Sequence, residues 1–267
     1  MSRPTIISIE GNIGAGKTTI VSKLHEMYSG KDDIIFLPEP VHLWENIKDA
    51  DGENIIQKFY GDNKKYSFPF QVMAYATRLS MLRNTVKNHP DAKVIICERS
   101  LDADKHIFAQ MLHDDGMMDD IHFEIYKLFF KEYYDEFRLD HVIYIDATAE
   151  KCHERISKRS RDGESNIPLD YLKKCKKYHD TWLIDFAGAN NIPVLHLNTN
   201  EDVEYKNNDN GIGWLNTISE LITNAVYEKE PDTETETETE VELMQCAFNN
   251  TMRWCEHLFD NDNSKEE

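Results

Sequence analysis

The run Gly11-Asn12-Ile13-Gly14-Ala15-Gly16-Lys17-Thr18 matches the spacing GxxxxGK[ST], directly after the strand-like run Thr5–Glu10 and at the start of a helical pattern. Glycines let such a backbone turn tightly and aim several N–H groups at one point. The helix N-terminus adds positive potential there, so the expected ligand is a phosphate chain. Lys17 is expected to reach the β- and γ-phosphates. The Thr18 hydroxyl is placed to meet Mg²⁺, and Thr19 is a further phosphate contact.

A phosphate loop alone serves switches, motors and kinases, so the acceptor side must decide. Glu39 stands between Pro38 and Pro40 at the end of a second strand-like run, with Trp44 close behind. The two proline rings restrict the backbone around that carboxylate, which suits a general base acting on a hydroxyl. A third strand-like run ends in Glu98-Arg99-Ser100. Glu98 would complete the Mg²⁺ environment, and Arg99 would stabilise charge on the transferring phosphoryl group and orient Glu39. Arg155, Lys158, Arg159 and Arg161 form a basic cluster with Glu164, before Pro168, in an otherwise acidic chain. That cluster is expected to be a lid over nucleotide phosphates. A strand-end ion pair and a solvated helix end would produce the same residues, so the weight falls on their combination with the phosphate loop.

Two other chemistries use the same loop. A nucleoside monophosphate kinase of the thymidylate kinase type takes an anionic acceptor, which Glu39 would repel. A GTPase-like switch needs an NKxD-type base reader and a water-positioning residue, and neither is found in the sequence. A hydroxyl acceptor fits better.

These residues need elements to carry them. Thr5–Glu10, Ile34–Leu37, Lys93–Cys97, His141–Asp146 and Ile192–Leu197 are short, mostly apolar runs without alternation, the pattern of buried parallel strands. Helical patterns at 17–28, 54–60, 67–88, 101–113, 119–136, 149–159, 168–187 and 213–228 separate them, which predicts a doubly wound α/β domain over residues 1–228. Ligands on such sheets sit beyond the carboxyl ends of the strands, where the residues above cluster.

The net charge of −19 excludes a general polynucleotide-binding surface. Five cysteines without CxxC spacing argue against a disulfide framework and for a reducing compartment, cytoplasmic or nuclear. The first strand begins so early that no signal or transit peptide is expected. No apolar run reaches the roughly 20 residues that span a bilayer, so no membrane association is expected. His113, Asp114, Asp115, Asp119, Asp120 and His122 around Gly116 are read as an acidic turn, with no metal beyond Mg²⁺ expected.

About half of the excess acidity lies beyond residue 227, where 13 Asp and Glu meet Lys229, Arg253 and Lys265. Residues 229–240, with alternating Thr and Glu, are expected to be a low-complexity linker. Residues 241–267 form a tail in which Met244, Phe248, Met252, Cys255 and Phe259 have the spacing of one amphipathic helix. The tail is expected to be dispensable for catalysis.

From the phosphate loop to about Asp202 the chain resembles the deoxynucleoside kinase family. The motifs that carry the resemblance are Gly11–Thr19, Pro38-Glu39-Pro40-Val41 with Trp44, Tyr66-Ser67-Phe68-Pro69-Phe70-Gln71, Glu98-Arg99-Ser100, the basic lid, and Ile167-Pro168-Leu169-Asp170-Tyr171-Leu172. The resemblance implies an α/β P-loop kinase fold, with a five-stranded parallel sheet flanked by helices and a helical lid, in a homodimer. It implies transfer from ATP, with Mg²⁺, to the 5′-hydroxyl of a deoxynucleoside. Glu39 then looks like the base, Tyr60 and Glu164 like partners of the sugar 3′-hydroxyl, and Gln71 like the reader of the base edge. Trp44, Phe70 and Phe108 would hold the base by shape. Glu201, Asp202 and Val203 resemble the loop around the donor base. Arg78 and Asp104 resemble the charged pair of the branch that prefers deoxycytidine and purine deoxynucleosides over thymidine.

Overall fold

The computed structural model describes residues 3–159, 167–206 and 210–227. The lid residues Arg161 and Glu164 and everything expected of the tail lie outside them.

The central strand, β1 (Thr5–Gly11), is buried at every position, as its β-branched sequence requires. It lies between β3 (Val94–Glu98) and β4 (His141–Asp146). β2 (Ile34–Leu37) and β5 (Val194–Asn198) form the edges, so the order is β2-β3-β1-β4-β5 with all pairings parallel. Register pairs Ile9 with Glu98 and Gly11 with Ile145, so the phosphate loop leaves the sheet beside the ends of β3 and β4. Two apolar layers cover the sheet, one built on Ile6, Ile95 and Val142, the other on Ile7, Ile96 and Ile143.

The helices follow the expected periods with three differences. A five-residue helix, α2 (Val41–Glu45), stands between α1 (Lys17–Met27) and α3 (Ile55–Gly61), directly after Pro40. The next helix, α4 (Asn63–Asn88), starts four residues before the expected 67, because the Asp62 side chain accepts the Lys65 N–H at 3.1 Å and caps it. Pro69 is carried inside that helix. The stretch expected at 101–113 is interrupted. A single turn, α5 (Leu101–Ala103), widens into a π-helical segment (Asp104–Ala109) before α6 (Gln110–Asp114). The remainder are α7 (Asp120–Tyr133), α8 (Ala149–Arg159), α9 (Leu169–Asn190) and α10 (Asn210–Tyr227), the last packed against α1. No helix among the described residues is long and apolar enough to cross a membrane.

Candidate active site

β1 feeds the phosphate loop into α1 through glycines that sterics demand. A Cβ on Gly11 would lie 2.5 Å from the Ile145 carbonyl oxygen, and one on Gly14 would lie 2.7 Å from that of Cys152. Both glycines also have positive φ, 147° and 81°. Asn12 braces the loop from behind, donating to the Leu172 carbonyl at 2.8 Å and accepting the Ile13 N–H at 2.9 Å. The Lys17 ammonium is buried and donates to the Asn12 carbonyl at 2.9 Å. Burial pushes its pKa down to about 8, helped by Arg99 and opposed by Glu98, Glu39 and Glu10.

The loop opens onto a cleft of about 450 Å³. Of the loop residues named from the sequence, Ile13 through Thr19 line it, whereas Gly11 and Asn12 support it from beneath. Glu39, Trp44, Tyr60, Phe70, Gln71, Arg78, Glu98, Arg99, Asp104 and Phe108 line the same cleft. So do Arg155, Arg159, Glu201, Asp202 and Val203.

The acceptor wall comes mainly from α4 and the π segment. Gln71, Ala74 and Arg78 fall at i, i+3 and i+7, so one face of α4 presents all three. Arg78 is the hub. Its Nε and Nη2 donate to the two oxygens of Asp104 at 2.9 and 3.3 Å, its Nη1 to the Glu98 carbonyl at 2.8 Å, and its Nη2 also to Glu39 at 3.3 Å. Burial disfavours its charge, but Asp104 and Glu39 outweigh that and keep its pKa above the ordinary arginine range. Aromatic rings close the wall. Phe59 stacks on Phe70 at 4.4 Å, Trp44 meets Phe70 edge-on at 5.7 Å, and the Trp44 indole donates to the Thr77 hydroxyl at 3.0 Å.

Glu39 is half-buried, and its backbone carbonyl accepts the Val41 N–H at 2.9 Å. Its carboxylate meets Arg99 Nε at 3.2 Å as well as Arg78. Burial pushes this carboxyl up, yet Arg99, Arg78 and Lys17 together hold it below the usual glutamate range. A carboxylate so held is ionised at neutral pH and free to receive a proton from an incoming hydroxyl.

Arg99 reaches that position through a backbone conformation that arginine seldom adopts, φ 66°, pinned by its N–H donating to the Ile9 carbonyl at 3.1 Å. Strain of this kind costs about 1–3 kcal/mol and persists where surrounding contacts fix it. Its guanidinium lies 4.7 Å from the centre of the Phe108 ring. On the other side of the loop the Thr18 hydroxyl donates to Glu98 at 2.7 Å. A hydroxyl and a carboxylate beside a phosphate seat are hard oxygen donors, so the pair fits Mg²⁺ shared with phosphates and water.

Arg155, expected to grip phosphates, makes a different set of bonds here. It donates to the Ala15 carbonyl at 3.1 Å, to the Thr199 and Glu201 carbonyls at 2.8 and 3.0 Å, and to the Asp202 carboxylate at 3.0 Å. It ties the phosphate loop to the loop after β5.

Sequence reasoning passed over Glu10. It is fully buried on β1, and burial pushes its carboxyl up against the opposing pull of Arg99, a Ser100 hydrogen bond, Arg78 and Lys17. A lone acid in the apolar run Ile6-Ile7-Ser8-Ile9 was its only signal. Tyr171, Tyr205 and Trp214 also line the cleft.

The glycine-rich loop with its buried lysine, an ionised glutamate and a wall of aromatic rings share one cleft, an arrangement suited to phosphoryl transfer to a hydroxyl. Comparison with known proteins agrees. The family model described as deoxynucleoside kinase matches residues 7–223. A deoxycytidine kinase from Homo sapiens is 34% identical over 226 residues, 75% of this chain and 85% of the relative. A deoxycytidine kinase 2 from Gallus gallus is 33% identical over 221 residues, covering 73% and 82%. A mitochondrial deoxyguanosine kinase from Xenopus laevis is 32% identical over 222 residues, covering 74% and 82%. The chain therefore belongs to the deoxynucleoside kinase family, ATP-dependent enzymes that phosphorylate deoxynucleosides.

Proposed function

We propose that the chain transfers the γ-phosphoryl group of ATP to the 5′-hydroxyl of deoxycytidine or a purine deoxynucleoside in preference to thymidine. The observation that carries this reading is Glu39, held ionised by Arg99 and Arg78 in the cleft that the Lys17 loop opens onto. The 5′-hydroxyl donates to Glu39 and passes its proton there as the oxygen attacks. Arg99 faces the charge that develops on the phosphoryl oxygens, and Lys17 steadies the β- and γ-phosphates. Thr18 and Glu98 would hold Mg²⁺, which supplies charge neutralisation on the phosphates. Tyr60 takes the sugar 3′-hydroxyl. Gln71 reads the base edge, and Asp104, locked to Arg78, leaves a polar floor that suits an exocyclic amine better than a thymine methyl.

The test supplies ATP–Mg²⁺ with each of the four natural deoxynucleosides, singly and in competition, and separates the 5′-monophosphates. Deoxycytidine or a purine deoxynucleoside should be consumed first. A preference for thymidine would remove the role given to Arg78 and Asp104, and absence of any 5′-monophosphate would remove the whole reading.

We further propose a homodimer and a reducing compartment. α7 exposes Ile121, Ile125, Leu128 and Phe129 along one side, and Ile121 is 73% and Leu128 70% exposed, a stripe that a second copy would cover. Equilibrium sedimentation should give about twice the chain mass of 31.2 kDa, and Leu128→Glu should shift it to one. A monomeric wild type would refute the dimer. Cys97, Cys152 and Cys175 are free buried thiols, which supports a cytosolic or nuclear setting. Residues 1–228 are proposed as the catalytic unit.

A further inference from the structure

Beyond β5 the chain is bolted down before it reaches α10. The Thr199 N–H donates to the Asp146 carbonyl at 2.7 Å, and Asn200 accepts the Thr148 N–H at 2.8 Å. Lys151 joins Arg155 on the Asp202 carboxylate, at 2.8 Å. Because Arg155 also holds the Ala15 carbonyl, this loop keeps a fixed position relative to the phosphate seat.

The loop then turns sharply at Tyr205, whose φ of 57° lies in the left-handed region. The turn lays its ring against Gly211, where an added Cβ would come within 2.8 Å of the tyrosine ring and 3.0 Å of the Val203 side chain. Trp214, almost one helical turn further along α10, meets the Tyr205 ring at 6.4 Å and 69°. Both rings are half-buried and line the cleft beside Val203, and α10 packs on α1. The acceptor rings Trp44, Phe70 and Phe108 come from other elements, α2, α4 and the π segment.

We infer that Tyr205 and Trp214 form the wall against which the donor nucleotide's base lies, and that this wall favours purine over pyrimidine triphosphates. The inference rests on the reading that the donor triphosphate sits on the Lys17 loop. Aromatic side chains bind bases through their π faces without regard to edge pattern, and the gain grows with ring area. An indole and a phenol edge to face offer a broad apolar surface, and a two-ring base covers more of it than a one-ring base. Arg155 is a positioning residue for the wall, since it holds the loop that leads into Tyr205.

The test measures equilibrium binding of ADP–Mg²⁺ and UDP–Mg²⁺ to the full chain, by calorimetry and by quenching of tryptophan emission. ADP should bind the wild type about tenfold tighter than UDP. Trp214→Leu, which keeps an apolar side chain but removes the flat ring, should weaken ADP by at least about fivefold and leave UDP nearly unchanged. Trp214→Phe should restore ADP binding to within about threefold, with part of the quenching lost. ADP affinity unaltered in Trp214→Leu, or equal affinity of the wild type for ADP and UDP, would overturn the inference while leaving the kinase reading intact. A wild type that binds neither nucleotide would overturn the donor reading itself, and the wall with it.

Discussion

Glu39→Gln is expected to slow single-turnover 5′-phosphorylation of deoxycytidine or deoxyadenosine by about 10²- to 10⁴-fold, the range for loss of a positioned general base. Glutamine keeps the size and one acceptor oxygen, so Arg78 and Arg99 retain a partner and nucleoside KM should change little. The pH profile gives a second reading. Burial raises the Glu39 carboxyl, but Arg99, Arg78 and Lys17 outweigh it and the folded pKa lies below the usual value of roughly 4.3. The base is therefore ionised above that value and is lost only as the pH falls through the depressed pKa. The wild-type rate should show no acid limb from Glu39 between pH 5 and 7. A variant rate near that of the wild type, with melting temperature preserved, would discard the base assignment.

Breaking the Arg78–Asp104 pair should have the largest effect on stability. The two side chains are only 5% and 4% exposed and share two hydrogen bonds. Burial raises the Asp104 carboxyl in spite of Arg78, so the pair adds little net stability while it is intact. Removing one partner is different, because the buried Arg78 guanidinium then loses two of its hydrogen bonds and its nearest countercharge and keeps only the Glu98 carbonyl and a longer contact to Glu39. Asp104→Ala should lower the unfolding free energy by about 3–5 kcal/mol, read from the denaturant midpoint. The double change Arg78→Met with Asp104→Leu should recover most of that loss. It should also relax discrimination against thymidine in the competition assay. If the single variant unfolds at the wild-type midpoint, the pair is not a buried hub.

Much of this geometry could be read in the sequence, for reasons that differ by element. The five strands were legible because buried parallel strands are continuous apolar runs, and each observed strand lies within two residues of its expected bounds. The phosphate loop was legible because Gly11 has no room for a Cβ and Gly16 has a φ of 108°, which leaves glycines at a fixed spacing before Lys17. Short and tertiary features were not. α2 has five residues, too few to show a helical period, and the Asp62 cap starts α4 four residues before the expected 67. Nothing in an arginine codes for φ 66°, so the backbone turn at Arg99 emerges only when β1 and Phe108 surround it. Tyr205 and Trp214 stand nine positions apart and meet through a loop with no periodic pattern. The cleft residues that escaped notice are those whose neighbours come from distant parts of the chain.

The π segment holds one more residue per turn than the helices flanking it, and both Asp104 and Phe108 lie within it. Ordinary α winding over the same residues would turn each of them by about 100°, more than the wider turn does, so Asp104 and Phe108 could not both keep their present bearings. Asp104 would swing away from Arg78 while Phe108 stayed beneath Arg99. The width of one helical turn thus sets the phase between the floor of the base pocket and the ring that supports the catalytic arginine.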